Sequence, residues 1–375
     1  MRTARISLPV LVAIAALLAV ALARTDEIRA RAEAGLGEGM PAREAALARG
    51  FVLGQDEGVD AETEEDFTRA GLSHLLAVSG SNVTLLGLLA SALLGALGVP
   101  LRERLLWILA LIALYVPLTG AGPSIQRAGV MGAAGLLATL AGRRASTLYA
   151  LVLALLVTLA IDPGVAADVG WQLSFAAVLG IYLLAGPIRD ALLGRGGLAA
   201  AGGWRRALAE GAGVTVAATV ATAPLIAFYF EEASLTTLVA NLLAMPAVAP
   251  AMWLGMVSAA ASQVPGLPLA PLNGLDALLL AYIAQVAAWC GRPSWAVAHV
   301  HLGALGLAAT YAALVAAIVA TIRLARHRRL ERARAAFVAF PARREKGRTR
   351  RVYLVALGLA ALAAVILGAG LVGDG

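Results

Sequence analysis

The sequence predicts an all-α, polytopic integral membrane protein with about eleven transmembrane helices, some of them broken. Three observations carry that class. Of the 375 residues, 60% are apolar and only 14% charged, with a mean hydropathy of +0.82; a soluble domain is nearer half apolar and a quarter charged. Apolar runs near the roughly 20 residues that cross a bilayer recur along the whole chain. The charges between those runs alternate as the positive-inside rule requires.

The runs lie near 6–23, 82–99, 104–119, 123–142, 145–161, 169–187, 211–230, 235–260, 274–290, 303–322 and 352–372. The first follows Arg2 and Arg5 like a signal peptide, but "ALARTD" is a poor small-residue cleavage site, so residues 1–24 read as an uncleaved first helix. Residues 25–71 form an acidic segment: from Arg24 to Gly71 there are twelve acidic residues against six Arg. It is expected as amphipathic helices lying on the extracytoplasmic face. Residues 72–322 are the polytopic core, 323–351 a basic cytoplasmic segment and 352–375 a last transmembrane helix.

Loop charge orients the chain. One set of loops holds Arg2 and Arg5, Arg102 and Arg104, Arg143 and Arg144, then Arg189, Arg195, Arg205 and Arg206, and the basic segment. The other set holds the acidic segment, Asp162 and Asp168, Glu231 and Glu232, with Arg292 as the exception. That places the protein in the inner (cytoplasmic) membrane with its N-terminus cytoplasmic and its C-terminus extracytoplasmic. The segment 323–351 carries eleven Arg and Lys346, an anchor for anionic lipid. Nucleic-acid binding there has only Phe337 and Phe340 to stack bases. Cys290 is the sole cysteine and reads as a small buried side chain.

"HLLAVSGSN", residues 74–82, sits between acidic and apolar sequence. "DAETEED" reads as a helix start, with Thr63 and Asp66 resembling a capping box. That helix is expected to continue to Val78, putting Phe67, Gly71, His74 and Val78 on one face. Ser79 and Gly80 break it, and Ser81 or Asn82 caps the next helix. A helix N-terminus at the membrane boundary offers free N–H groups and a positive dipole end to an anion or a translocating substrate; a capped interfacial turn, with His74 bonded to a neighbouring helix, is the even alternative.

Arg127 lies one turn into a span, where a cation opposes the helix dipole and needs a carboxylate such as Asp168, or a phosphate. Snorkelling to the boundary is the alternative. Gln172 and Ser174 lie within a span, where interhelical hydrogen bonding explains Ser174 better than Gln172. Asn241, Pro246 and Pro250 share one span, and two prolines four apart are expected to break or kink it. Asp276 is expected at the cytoplasmic boundary.

Other chemistries are set aside. His299-x-His301 has no acidic residue nearby in sequence, which argues against a metal site. No Walker-type phosphate loop occurs. Ser79 and His74 are five apart and not on one helix face, and "AVSGS" is no nucleophile elbow. No cofactor and no catalytic residue are expected.

Four stretches, "GLSHLLAVSGSNVTLL", "PSIQRAGVM", "GWQLSFAAVLG" and "TAPLIAFYFEEASLTTLVANLLAMP", together resemble the successive signatures of the ComEC competence domain, over roughly residues 42–322. That family is a polytopic channel implicated in taking up single-stranded DNA during natural transformation. The resemblance implies that His74, Ser79 and Gly80 belong to the first signature, Arg127 to the second, Gln172, Ser174 and Phe175 to the third, and Asn241 and Pro246 to the fourth. The expected DNA-path residues are His74, Ser79, Gly80, Asn82, Arg127, Gln172, Ser174, Asn241 and Pro246. Many members read "SGLHVGL" where this chain reads "SGSNV", so Asn82 stands in place of a second His. Long members carry an OB-like and a metallo-β-lactamase-like domain. Neither is expected within these 375 residues, so the nuclease is expected as a separate protein, or its gene shortened, or its activity lost.

The expectation is therefore an inner-membrane channel for single-stranded DNA that does no covalent chemistry. Separate receptor and nuclease proteins would work on the outer face, an ATP-dependent translocase on the cytoplasmic side, and assembly as a homo-oligomer stays open. Two alternatives remain: a secondary transporter or channel for a small anionic solute, and a non-transporting remnant of the family.

Overall fold

The computed structural model describes residues 8–194 and 202–336. The chain runs α1 (Leu8–Ala23), α2 (Thr25–Gly37), α3 (Ala42–Leu53), α4 (Ala61–Arg69), a 3-10 turn at Ser73–Leu75, α5 (Gly80–Ala96), α6 (Leu101–Leu118), α7 (Pro123–Leu140) and α8 (Thr147–Ile161). A second 3-10 turn (Pro163–Ala167) leads to α9 (Val169–Gly180), a π turn (Ile181–Ala185) and α10 (Gly186–Leu193). Then come α11 (Gly203–Tyr229), β1 (Glu232–Ser234), α12 (Thr237–Ala261), α13 (Ala270–Gly291), β2 (Val297–His299) and α14 (Ala304–Ala336). The fold is all-α apart from the two short antiparallel strands, in which Glu232 faces His299 and Ser234 faces Val297.

Each of the first ten apolar runs falls on a helix. Among the described residues four helical stretches are long and apolar enough to cross a membrane: Val169–Leu193, Gly203–Tyr229, Thr237–Ala261 and Ala270–Gly291. The pair α1 and α2, bent by 76° at their junction, makes five if it is one span. Gly80–Ala96, Thr147–Ile161 and Ala304–Ala320 are apolar but shorter. The expected helix at 352–372 and the basic segment beyond Ala336 lie outside the described residues.

Local chemistry explains several boundaries. Asp168 caps α9, its Oδ1 accepting from Trp171 N at 2.6 Å. Pro187 in α10 has no N–H and crowds the carbonyl four residues back; the chain takes that up in the π turn immediately before it. Pro246 and Pro250 do not interrupt α12, which runs from Thr237 to Ala261 with both prolines exposed.

The start of α4 differs from the expected box. Asp60 is the cap, accepting from Thr63 N at 2.9 Å and from Thr63 Oγ1 at 2.8 Å. Those two hydrogen bonds hold its carboxyl below its ordinary value of 3.8. A depressed carboxyl stabilises the fold fully above its unfolded-state value and loses that contribution as pH falls through the folded value. Asp60→Ala therefore lowers stability by about 1 kcal/mol at neutral pH. In paired thermal unfolding curves against pH, the difference from wild type shrinks to nothing as the solution is acidified below 3.8.

α4 also stops early. It ends at Arg69, and Gly71 at φ +73° reverses the chain, with Leu72 N donating to Phe67 O at 2.7 Å. A Cβ on Gly71 would overlap the Thr237 side chain, so the turn docks directly on the start of α12. The face expected from Phe67 through Val78 does not form.

The segment 25–71 is no separate surface layer. Leu36, Leu47, Phe51, Val52, Leu53 and Phe67 are buried in the main core, which also takes residues from α5, α6, α7, α12 and α13. On α4, Glu62, Glu64 and Glu65 are exposed, while Asp66 is buried and pairs with Arg292 at 2.9 Å. A second core joins α8 to α9 around Trp171 and Phe175. A third, of Ala176, Leu225 and Leu307, ties α9, α11 and α14.

Candidate functional site

The start of α5 lies part-way along α12, with Ser79 and Gly80 half-buried and Ser81 exposed. Gly71 abuts Thr237 at the top of α12. Sixteen residues further, ~24 Å along a helix, Trp253 of α12 donates its Nε1 to Leu85 O in the second turn of α5, at 3.1 Å. The segment between Gly71 and Gly80 has therefore carried the chain well below the top of α12 before α5 begins. His74 is exposed in the 3-10 turn on this descent, beside the Gly71 carbonyl. The cap of α5 is Ser79 rather than Ser81 or Asn82: its Oγ accepts from Ser81 N at 3.3 Å and lies 2.6 Å from Ser81 Oγ.

Arg127 of α7 reaches this helix start from the side. It is 5% exposed. A Cβ added to Gly80 would lie 3.0 Å from its Nη2, so the guanidinium fills the space that only a glycine leaves. Its Cζ stands 5.9 Å from the centre of the Phe175 ring, and Phe175 packs on Trp171 with ring centres 4.5 Å apart. Among the described residues no carboxylate pairs with Arg127. Its Nη1 has only the Met131 sulfur at 3.9 Å, and its Nε has no partner. Asp168, the expected counter-ion, is committed to capping α9.

The charge balance is unusual. α5 carries a cation at each end. At its C-terminal end Arg104 donates to Val99 O at 3.1 Å, which suits the negative end of the dipole. At its N-terminal end Arg127 adds a full charge to the positive end. An unpaired Arg in a span costs about 2.5–3.5 kcal/mol by insertion scales. The arrangement gathers a guanidinium, a helix start and the hydroxyls of Ser79 and Ser81, with no carboxylate among the described residues to meet them. It can bind one anionic oxygen cluster through charge and N–H groups, with an aromatic face beneath.

The other expected residues go elsewhere. Asn82 is buried, and its Nδ2 donates to Phe51 O at 2.7 Å and to Tyr115 Oη at 3.3 Å. Tyr115 Oη in turn donates to Val52 O at 2.6 Å. These two side chains satisfy carbonyls in the last turn of α3, which have no intrahelical partners. Gln172 is fully buried and hydrogen-bonded at both amide atoms: Nε2 donates to Ala166 O at 2.8 Å, and Oε1 accepts from Tyr229 Oη at 2.9 Å. Ser174 Oγ lies 2.8 Å from Ser124 Oγ, a rung between α9 and α7 one turn from the Arg127–Phe175 contact. Asn241 bonds within its own helix, to Thr237 O at 3.0 Å, and Pro246 faces outward. The structure thus brings Ser79, Gly80 and Arg127 together, gives Asn82, Gln172 and Asn241 hydrogen-bond partners within the protein, and leaves Pro246 on the outside.

Three features escaped sequence reading. Tyr115 gave no signal, because its partners are remote in sequence. Asp276, expected at a boundary, is 1% exposed. His299 and His301 do meet acids: Glu232 at 3.6 Å and Glu231 at 2.9 Å, across the strand pair. Among the described residues no group of three His, Cys, Asp or Glu is placed to hold a metal ion.

Comparison with known proteins agrees with the four signatures. The family model described as "Competence protein" matches residues 51–327. ComE operon protein 3 of Bacillus subtilis (strain 168) is 26% identical over 207 residues, 55% of this chain. The match spans 25% of that relative's own length. No solved structure matches the chain.

Proposed function

Since this chain belongs to the competence protein family, we propose that it is the inner-membrane channel through which incoming single-stranded DNA reaches the cytoplasm. The observation that carries this reading is Arg127, a buried cation without a counter-ion at the start of α5. A phosphodiester supplies the missing charge whatever its base, as a strand of arbitrary sequence requires. The aromatic pair beneath it tolerates any base for the same reason. The reading takes eleven spans with a cytoplasmic N-terminus, no covalent chemistry and no cofactor. A receptor and a nuclease deliver one strand from outside, an ATP-dependent translocase draws it inward, and anionic lipid holds the basic segment 323–351.

The test is recovery of labelled DNA from the cytoplasm of a competent host. A clean deletion is compared with the returned wild-type gene and with Arg127→Ala at equal membrane abundance. Deletion abolishes internalisation, wild type restores it and Arg127→Ala does not. Normal uptake by the deletion strain sinks the reading. A purified protein stabilised by small organic anions, and indifferent to single-stranded DNA, moves the assignment to a solute transporter.

A further inference from the structure

A second ionisable group lies buried in the bundle, far along the chain from the anion niche. α12 and α13 are antiparallel neighbours, and two facing pairs fix their register: Ser258 with Asn273, and Gly255 with Asp276. The first pair is closed. Ser258 Oγ donates to Asn273 Oδ1 at 2.7 Å, and Asn273 Nδ2 donates to Gly35 O at 2.8 Å and Glu38 O at 2.7 Å. Every polar atom there has a role in fastening α2 to the α12–α13 pair.

The second pair is open. Asp276 is 1% exposed and its Oδ1 has no hydrogen-bond partner. Its neighbours are apolar: a Cβ on Gly255 would lie 3.5 Å from Asp276 Oδ2, 2.6 Å from Val52 and 3.7 Å from Leu36. Among the described residues no charged group on the packed elements, Asp26 of α2 included, makes a bond to Asp276. On α2, Arg29 pairs with Glu33 and Arg31 with Glu27. Beyond its end, Glu38 accepts from Leu269 N. On α3, Arg43 donates to Thr63, while Glu44 and Arg49 make no bond to Asp276. α12 has no titratable residue, and α13 adds only Tyr282, which donates to Leu243 O, and Cys290.

An ionised carboxylate in such a place loses its hydration with nothing in return, a cost of several kcal/mol. A metal ion would answer the charge but needs several oxygen ligands, and Val52, Leu36 and Gly255 provide none. A proton needs no further ligand. We propose that Asp276 is a proton-binding site: it holds a proton in the closed fold and exchanges it when α2 and α3 part from the α12–α13 pair. Loss of the proton requires water or a donor at the carboxylate, and Val52 of α3 occupies that side. Protonation and the seating of α3 are thereby linked. An ionisable group inside the membrane-crossing helices with this isolation is a functional site by default. The inference stands independently of whether DNA is the substrate.

Infrared spectroscopy of the full chain in lipid nanodiscs at neutral pH tests it. Wild type should show a carbonyl stretch of a protonated carboxylic acid that is absent in Asp276→Asn and shifts on slow exchange into deuterium oxide. Carbon-13 labelling of aspartate in wild type should shift the same band, a reading that does not depend on the variant folding. Absence of any acid band from aspartate in labelled wild type overturns the proposal, as does an acid band that survives unchanged in a folded Asp276→Asn protein.

Discussion

Arg127→Met raises the thermal unfolding midpoint of the purified protein while cutting DNA internalisation by about tenfold or more, the latter equivalent to roughly 1.4 kcal/mol on the transport barrier. The two effects have opposite signs because the residue is costly to the resting fold. Removing it relieves the burial of an unpaired cation, about 2.5–3.5 kcal/mol by insertion scales. It also forfeits the contact with the Phe175 face, worth up to about 2 kcal/mol when desolvated. The net is a gain of roughly 1 kcal/mol. Met fills similar volume, so no cavity obscures the result. Arg127→Lys keeps the charge but not the planar fork, and is expected to retain part of the activity. A midpoint that falls in Arg127→Met would show that the cation has a stabilising partner in the resting protein and that the niche is structural.

Asn82→Ala has the reverse signature. It leaves Phe51 O, buried in the last turn of α3, without a donor, and it removes the bond to the Tyr115 hydroxyl. Abandoned buried partners cost about 1–3 kcal/mol each, so a loss of about 2–3 kcal/mol is expected, and Tyr115→Phe loses about 1–2 kcal/mol. The double variant loses less than the sum, because both side chains serve adjacent carbonyls of one helix end. Uptake per folded molecule is unchanged in each. Lost uptake at unchanged stability would place Asn82 on the DNA path beside Arg127 and overturn its assignment as framework.

The contrast between these two residues explains why the first signature is dense in polar groups. Ser79 and Gly80 shape a helix start that faces Arg127. Asn82, two positions on, turns to the opposite side and fastens α5 to α3. One short run both opens a niche and ties down the helix that forms it, so a substitution scan along 79–82 should change from loss of function at 79–81 to loss of stability at 82.

The sequence by itself determined what acts within one element or across a turn. The first ten apolar runs became helices, the signature at 170–177 became α9, and the buried state of Cys290 followed from its surroundings. Helix formation and apolarity are local properties, readable at a spacing of a few residues. Even there, cap identity slipped by a few positions, because Asp60, Thr63, Ser79 and Ser81 are all competent caps and small backbone differences choose among them.

Tertiary structure alone decided which polar groups meet. Nothing near Arg127 in sequence shows that it lacks a counter-ion; that depends on Asp168 being consumed by its own helix and on α5 starting beside α7. The acidic composition of residues 25–71 suggested a surface layer, yet α3 is core, because a helix can carry its charges on one stripe while packing another. Asp276 was placed at a boundary by its distance from a helix end, and buried by α2 and α3 arriving from more than two hundred residues away in sequence. Burial and pairing are sums over distant neighbours, so no local pattern contains them.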